Sequence, residues 1–177
     1  GARQLLQHDF ADRLQAMLAS HPDVLPDHLE LEILETSALE DVWRASDVIE
    51  ACSQIGVTFA LDDFGTGYSS LAYLKRLRVK VIKIDQSFVC DMIDDPDDRS
   101  ILEGVIGLAA AFRREVIAEG VETTEHGTLL LHLGCELAQG YCIGRPMPAG
   151  EIRAWVASWQ PESAWTDLPW LGGEISF

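Results

Sequence analysis

The sequence predicts an α/β fold built on a parallel sheet, and three observations support it. Five short apolar segments have the composition of strands, namely residues 29–34, 58–63, 79–85, 114–120 and 135–141. Segments with helical spacing of apolar residues separate them, which is the order of repeated βαβ units. Ionisable or amide side chains stand at or near the carboxyl end of each predicted strand. In parallel α/β folds that end of the sheet forms the active face.

The helices are predicted from apolar spacing and from the residues that end them. In residues 38–56 the apolar positions repeat with the helical period, and Gly56 marks the end of the helix. A single N-terminal helix is predicted over residues 2–21. The remaining predicted helices cover residues 69–77, 97–113 and 123–134.

The end of the chain has a different composition. Residues 160–177 contain two prolines and a glycine pair, which break regular structure. We expect an irregular tail there, packed by its tryptophans. The predicted organisation is one domain over residues 1–159 followed by this tail.

Composition narrows the possible partners. The 13 Lys and Arg residues face 29 Asp and Glu, a formal net charge of −16, which argues against binding to nucleic acid polymers or anionic membranes. A phosphate-bearing small ligand would need local cations or metal ions. No apolar run reaches the length of a membrane-spanning segment. Four scattered cysteines predict reduced thiols and a cytoplasmic location: Cys52, Cys90, Cys135 and Cys142.

Carboxylates dominate the predicted active face. The polar residues at the strand ends are Glu32, Glu35, Asp62, Asp63, Lys83, Asp85, Glu119, Glu122 and Gln139. Crowded carboxylates are stable mainly when cations neutralise them, and all-oxygen ligands favour magnesium, manganese or calcium over zinc. A carboxylate that bridges two metals is typical of phosphoryl hydrolysis.

Each of these residues also has a simpler interpretation when taken alone. Asp62 and Asp63 before a glycine would be a solvated turn with a helix cap, and Lys83 would be a surface lysine. The histidines show no ligand-like spacing and are expected at the surface or at helix caps: His8, His21, His28, His126 and His132.

Five motifs in order resemble those of the EAL-domain family: "LELEILETSAL", "LDDFGTGYSSL", "KIDQSFV", "IAEGVET" and "QGYCIGRPMP". The resemblance implies a modified (β/α)8 barrel of the TIM type. It also implies an enzyme that hydrolyses cyclic di-GMP to linear pGpG with Mg²⁺ or Mn²⁺ ions at a two-metal site.

The resemblance implies a role for each residue of the active face. It assigns Glu32 to the first metal, Asp62 to both metals, and Asp63 and Glu119 to the second, with Glu119 also acting as a base. It places Lys83 at the attacking water and makes Glu35 the anchor of the loop after Asp63. The positions that line the site are Asp85, Glu122 and Gln139.

Two family features are absent from the sequence. It contains no Glu-Ala-Leu tripeptide and no Asn, although family motifs on early strands supply metal ligands from both. Leu34 stands where the family usually has Thr. We therefore expect a partial EAL barrel over residues 1–159, with about five of eight strands and two ligands fewer at the first metal. Open sheet edges predict a homo-oligomer.

Three functions are consistent with these observations. The first is hydrolysis of cyclic di-GMP by the parent protein, with this fragment alone inactive. The second is a non-catalytic cyclic di-GMP receptor, and the third is a regulatory or assembly domain. The resemblance also implies GGDEF or sensory domains elsewhere in the parent protein.

Overall fold

A parallel sheet forms the centre of the computed structural model, which describes residues 2–66 and 71–166. Its five strands follow one another in the order β1-β2-β3-β4-β5. They are Glu30–Leu34 (β1), Thr58–Phe64 (β2), Val81–Ile84 (β3), Glu115–Glu119 (β4) and Leu137–Gln139 (β5). All four neighbouring pairs are parallel. The predicted α/β fold with a parallel sheet is confirmed.

Helices connect the strands along the chain. They are Ala2–Leu5 (α1), Phe10–Ala19 (α2), Glu35–Glu40 (α3), Val42–Ile55 (α4), Leu71–Arg76 (α5), Gln86–Asp91 (α6), Pro96–Ala111 (α7), Thr124–His132 (α8), Ala149–Ser158 (α9) and Ser163–Thr166 (α10). A 3-10 turn, Pro26–His28, precedes β1. Because strand order equals chain order, each connection moves to the next strand in the sheet, as in a barrel.

Two helices that the sequence predicts as continuous are each split. The predicted helix over residues 38–56 is divided into α3 and α4 at Asp41, whose carboxylate accepts a hydrogen bond from Arg44 N at 3.0 Å. This side chain caps the second helix and so starts it afresh. The predicted N-terminal helix is divided into α1 and α2, with Asp9 at the cap position of α2.

Three helices were not predicted. Helix α6 begins directly after β3, where Asp85 accepts from Ser87 N at 3.0 Å and caps it. Helix α9 follows Pro148, and α10 lies inside the segment expected to be an irregular tail. Helices α6 and α10 are short, with 6 and 4 residues, and give little periodic signal.

The core lies between the sheet and the helices. All four residues of β3 are buried, including Lys83, and Ile49 of α4 and Leu102 of α7 are fully buried. All four cysteines are free thiols. Among the described residues, no helix combines the length and the apolar character needed to cross a membrane. The buried central strand therefore carries one charged side chain to the carboxyl end of the sheet.

Replacing Ile82 by Ala should lower the free energy of unfolding by about 2–5 kcal/mol, because it leaves a cavity in the fully buried central strand. Urea unfolding measures the change. The matched control is Ile101→Ala, on the more exposed face of α7. A similar loss in both variants would contradict the assignment of β3 to the core.

Candidate active site

A bulge at the end of β2 brings two neighbouring aspartates to one rim. The pairing of β2 with β3 shifts register between Leu61 and Phe64, and Asp63 has a left-handed backbone with φ 54°. In a regular strand, neighbouring side chains point to opposite faces. Here carboxylate oxygens of Asp62, Asp63 and Glu119 lie within 4.8 Å of one another. The bulge thus forms a cluster that strict alternation would separate.

Lys83 lies at the centre of the acidic rim. Its ammonium is 2.5 Å from Glu119 Oε1, 2.7 Å from Glu32 Oε1 and 3.2 Å from Asp62 Oδ1. The residue is only 5% exposed, so the simpler interpretation as a surface lysine is wrong. Three strands, β1, β2 and β4, each contribute one carboxylate to this single cation.

The environment of Lys83 fixes its charge. Burial alone would lower its pKa, but hydrogen bonds to Glu119, Glu32 and Asp62 outweigh burial and leave the pKa raised. The side chain is therefore a cation and a hydrogen-bond donor at physiological pH. It cannot accept a proton, and because its three N–H groups face three carboxylates, it holds a water or an anionic oxygen only in place of one of them.

Asp63 has the opposite electrostatic balance. Its pKa is raised by burial first, and then by the negative charges of Asp62, Asp85 and Glu119. Asp63 is also absent from the ion pairs of Lys83. The neighbourhood of Asp63 is therefore the part of the rim where a bound cation would relieve the most repulsion.

The other predicted site residues lie around this cluster. Gln139 pairs with Glu119 in the register of β5 against β4. Asp85 is the cap of α6 and lies close enough to raise the pKa of Asp63. Glu122 is exposed, three residues beyond β4. Glu32 touches Lys83 but lies outside the three-carboxylate cluster. The structure thus places all of them at the same end of the sheet.

Glu35 holds the turn that follows the aspartate pair. Its buried carboxylate accepts from Gly65 N at 3.0 Å and from the Tyr73 hydroxyl at 2.6 Å. Gly65 has φ 103°, and a Cβ there would lie 2.8 Å from the ring of Phe88. Sequence reasoning named neither Tyr73 nor Phe88, because apolar spacing predicts only that such rings are buried. The turn is held from both sides.

Backbone hydrogen bonds join the segment after β4 to the segment after β5. Val121 N donates to Gln139 O at 3.1 Å, and Cys142 N donates to Val121 O at 3.0 Å. A Cβ on Gly140 would lie 2.2 Å from Val121 O, so glycine alone fits this close approach. Glu119, Glu122 and Gln139 consequently belong to one joined rim.

His126 differs from its sequence expectation. It is buried, and its Nδ1 accepts a hydrogen bond from Glu122 N at 3.4 Å. The expectation of a surface position is wrong for His126, but its ring does make a cap contact at the start of α8. His8, His21, His28 and His132 are exposed. The signal that could have found it is position: His126 lies in the first turn of α8, directly after the Glu122 segment.

Comparisons with known proteins agree with this geometry. A family model described as EAL domain matches residues 1–146. The bifunctional diguanylate cyclase/cyclic di-GMP phosphodiesterase MucR of Pseudomonas aeruginosa is 40% identical over 156 residues, which are 88% of this chain and 23% of that protein. The chain therefore spans less than a quarter of the length of MucR.

Two solved structures extend the similarity to the fold. The PaMucR phosphodiesterase in complex with c-di-GMP is 39% identical, with a TM-score of 0.81, and the match covers 86% of this chain and 61% of that one. The manganese/cy-diGMP complex of Klebsiella pneumoniae BlrP1 is 31% identical, with a TM-score of 0.73, and the match covers 81% and 36%. The five-stranded sheet fits part of a barrel of this type.

Replacing Tyr73 by Phe should lower the free energy of unfolding by about 1.5–3 kcal/mol, because it removes a hydroxyl donor from a buried carboxylate. The matched control is Tyr141→Phe, whose ring is exposed and should change stability by less than about 0.5 kcal/mol. Denaturant unfolding of both variants measures the difference. Equal effects would show that Tyr73 does not support Glu35.

Replacing Asp63 by Asn should raise the unfolding temperature in metal-free buffer at pH 7 by roughly 1–2 °C, with solvent screening keeping the effect small. The raised pKa means that the folded chain binds more protons than the unfolded chain above the ordinary value of 3.8. Stability therefore falls as the pH rises through this range, and Asn removes the penalty.

The gain from Asp63→Asn should disappear below about pH 3.8, where both states hold the proton. Asn also tolerates the left-handed backbone, so the geometry is kept. Thermal melts across pH give the profile, with exposed Asp27→Asn as the control. A gain that persists in acid would point to a cause other than charge repulsion.

Proposed function

We propose, because the chain belongs to the EAL-domain family, that it supplies the acidic rim of a metal-dependent phosphodiesterase that hydrolyses cyclic di-GMP to linear pGpG. The observation that carries this proposal is the cluster of Asp62, Asp63 and Glu119 beside the buried cation of Lys83. In a solvated turn, water would screen the two aspartates, so a buried ammonium in contact with three carboxylates disfavours that simpler interpretation. Similarity to proteins named as phosphodiesterases supports the reaction.

The donor set suits Mg²⁺ or Mn²⁺. Asp62, Asp63 and Glu119 offer hard carboxylate oxygens close together, and Glu32 adds one at the edge of the rim. When bound, such ions lower the pKa of water and neutralise charge on a phosphate. The relative in complex with manganese and cyclic di-GMP supports this choice.

The chain's own residues then divide the reaction between them. Lys83, a permanent donor, turns one N–H from a carboxylate to the attacking water or a phosphate oxygen and orients it. Glu119, at the end of β4, accepts the proton that the water loses as its oxygen bonds to phosphorus. The phosphorus–oxygen bond on the opposite side breaks, the released ribose oxygen takes up a proton from solvent, and Glu119 returns its proton to solvent. This order requires in-line geometry and no covalent enzyme intermediate.

The outer rim suits a guanine nucleotide. Glu122 and Gln139 present oxygen acceptors, and guanine carries an N2 amino donor. The guanidinium of Arg145 lies 4.6 Å from the ring centre of Tyr141. A cation and an exposed aromatic ring on the segment after Gln139 offer a phosphate contact and a stacking surface.

A cyclic di-GMP receptor without catalysis is the second candidate. Glu32 is about half exposed and pairs with Lys83 instead of joining the three-carboxylate cluster. Within the described residues this leaves one well-formed cation site, and hydrolysis by two metals needs two. Tight nucleotide binding without release of pGpG would favour the receptor.

The proposal extends to the assembly, the cellular location and the further domains of the whole protein. Leu34 and Leu137, on the outer strands β1 and β5, are 44% and 47% exposed, which supports a homo-oligomer that covers them. The free cysteines support a cytoplasmic location. GGDEF or sensory domains would lie outside this chain.

Incubation of the parent protein with cyclic di-GMP and Mn²⁺ tests the proposal, with pGpG measured by chromatography. Asp62→Ala should lower both activity and Mn²⁺ affinity by more than about tenfold. Lys83→Ala should lower activity by roughly 10²-fold or more, while Mn²⁺ affinity stays equal or rises, since the variant loses a competing cation.

Lys80→Ala is the matched lysine control, because Lys80 is exposed at the opposite end of β3 and pairs with Glu115. It should leave turnover unchanged. Equal loss of Mn²⁺ binding in Asp62→Ala and Lys83→Ala would contradict the separate roles assigned to the two residues.

A further inference from the structure

Gly127 forms a notch in the middle of α8. Glycine weakens a helix interior relative to alanine, so its place there needs a reason. A Cβ at Gly127 would lie 2.5–2.7 Å from three atoms of the Trp165 indole. The ring therefore packs against bare helix backbone, and Trp165 is buried although it lies close to the end of the described chain.

Trp165 also makes a directional contact with α8. Its Nε1 donates to Thr124 O at 3.0 Å, in the first turn of the helix. The same turn holds the Glu122 segment: Thr123 Oγ1 accepts from His126 N at 3.2 Å, and His126 Nδ1 accepts from Glu122 N at 3.4 Å. Trp165 thus hydrogen-bonds to the helical turn whose His126 side chain holds the backbone N–H of Glu122.

A second tryptophan reaches the other half of the rim. Trp159 Nε1 donates to Ile143 O at 3.0 Å, just after the segment that joins Gln139 to Val121. Trp155 packs against Gly144, where a Cβ would lie 2.7 Å from its ring. The three tryptophans lie beyond residue 146, where the family match ends.

We infer that residues 159–166 form a strap that positions the rim of the site, with Trp165 as a positioning residue for Glu122. The inference rests on the proposed function, because it assigns the purpose of the strap to nucleotide binding. Among the hydrogen bonds and ring contacts of residues 2–66 and 71–166, those of the Trp165 indole are to α8 and none is to the carboxylate cluster or Lys83. It acts through Thr124, Thr123 and His126, so it should affect the nucleotide more than the metal.

Trp165→Phe is the direct test, because it keeps an aromatic ring and removes the indole N–H. Amide hydrogen exchange followed by NMR should become roughly threefold to tenfold faster at Val121 and Glu122, while amides of β2 and β3 stay unchanged. Affinity for cyclic di-GMP in Ca²⁺ should fall by a similar factor. Mn²⁺ affinity should change less than about twofold, because Asp62 and Asp63 are held by β2.

Gly127→Ala is the second variant. Alanine strengthens the helix, but its Cβ displaces the indole, so exchange at Val121 and Glu122 should still accelerate. Slower exchange in this variant would overturn the strap. Trp43→Phe is the control, since that exposed ring stacks on Arg76 away from α8.

The remaining outcomes separate the strap from the proposed function. Unchanged exchange at both amides in Trp165→Phe overturns the strap, and so does a uniform rise along the whole chain, which would mean general destabilisation. If the unaltered protein binds no cyclic di-GMP but exchange accelerates locally, the strap stands and the proposed function fails.

Discussion

The contact between the Lys83 ammonium and three carboxylates is the interaction on which the rim depends. Glu32, Asp62 and Glu119 come from three different strands, and like charges at this distance repel one another. One buried cation on the central strand lets them converge. Asp63 stays outside this balance, and its pKa is raised by burial first and then by the neighbouring negative charges. Lys83 therefore stabilises the rim when no metal is bound, and the carboxylate of Asp63, which it does not neutralise, marks where a metal ion would bind.

The backbone around the rim is shaped to hold these charges in place. The bulge at Asp63 uses a left-handed conformation that ordinary side chains seldom adopt, and such strain concentrates at functional sites. Glu35 and Phe88 fix the following turn from two sides. Gly140 permits the close approach that joins Gln139 to Val121. Each of these features lies at or near the carboxyl end of a strand, and the irregular pairing of β2 with β3 is confined to residues 61–64.

The sequence was sufficient for the strands, their parallel order and the placing of polar residues at one end of the sheet. Those features follow from local patterns of apolar and polar residues, which are visible in the sequence itself. The bulge at Asp63, the burial of His126 and the partnership of Tyr73 with Glu35 depend on contacts between distant segments. Short helices such as α6 give too few turns for a periodic signal, and Asp41 splits a helix by a cap that apolar spacing does not register.

The cation site proposed at the β2 bulge can be tested directly. The most direct measurement is a crystal structure of the parent protein soaked in Mn²⁺, with anomalous scattering to locate the ion. We expect an anomalous peak in contact with Asp62, Asp63 and Glu119, with the ammonium of Lys83 beside it. A protein that binds Mn²⁺ with its only peaks remote from these carboxylates would contradict this expectation.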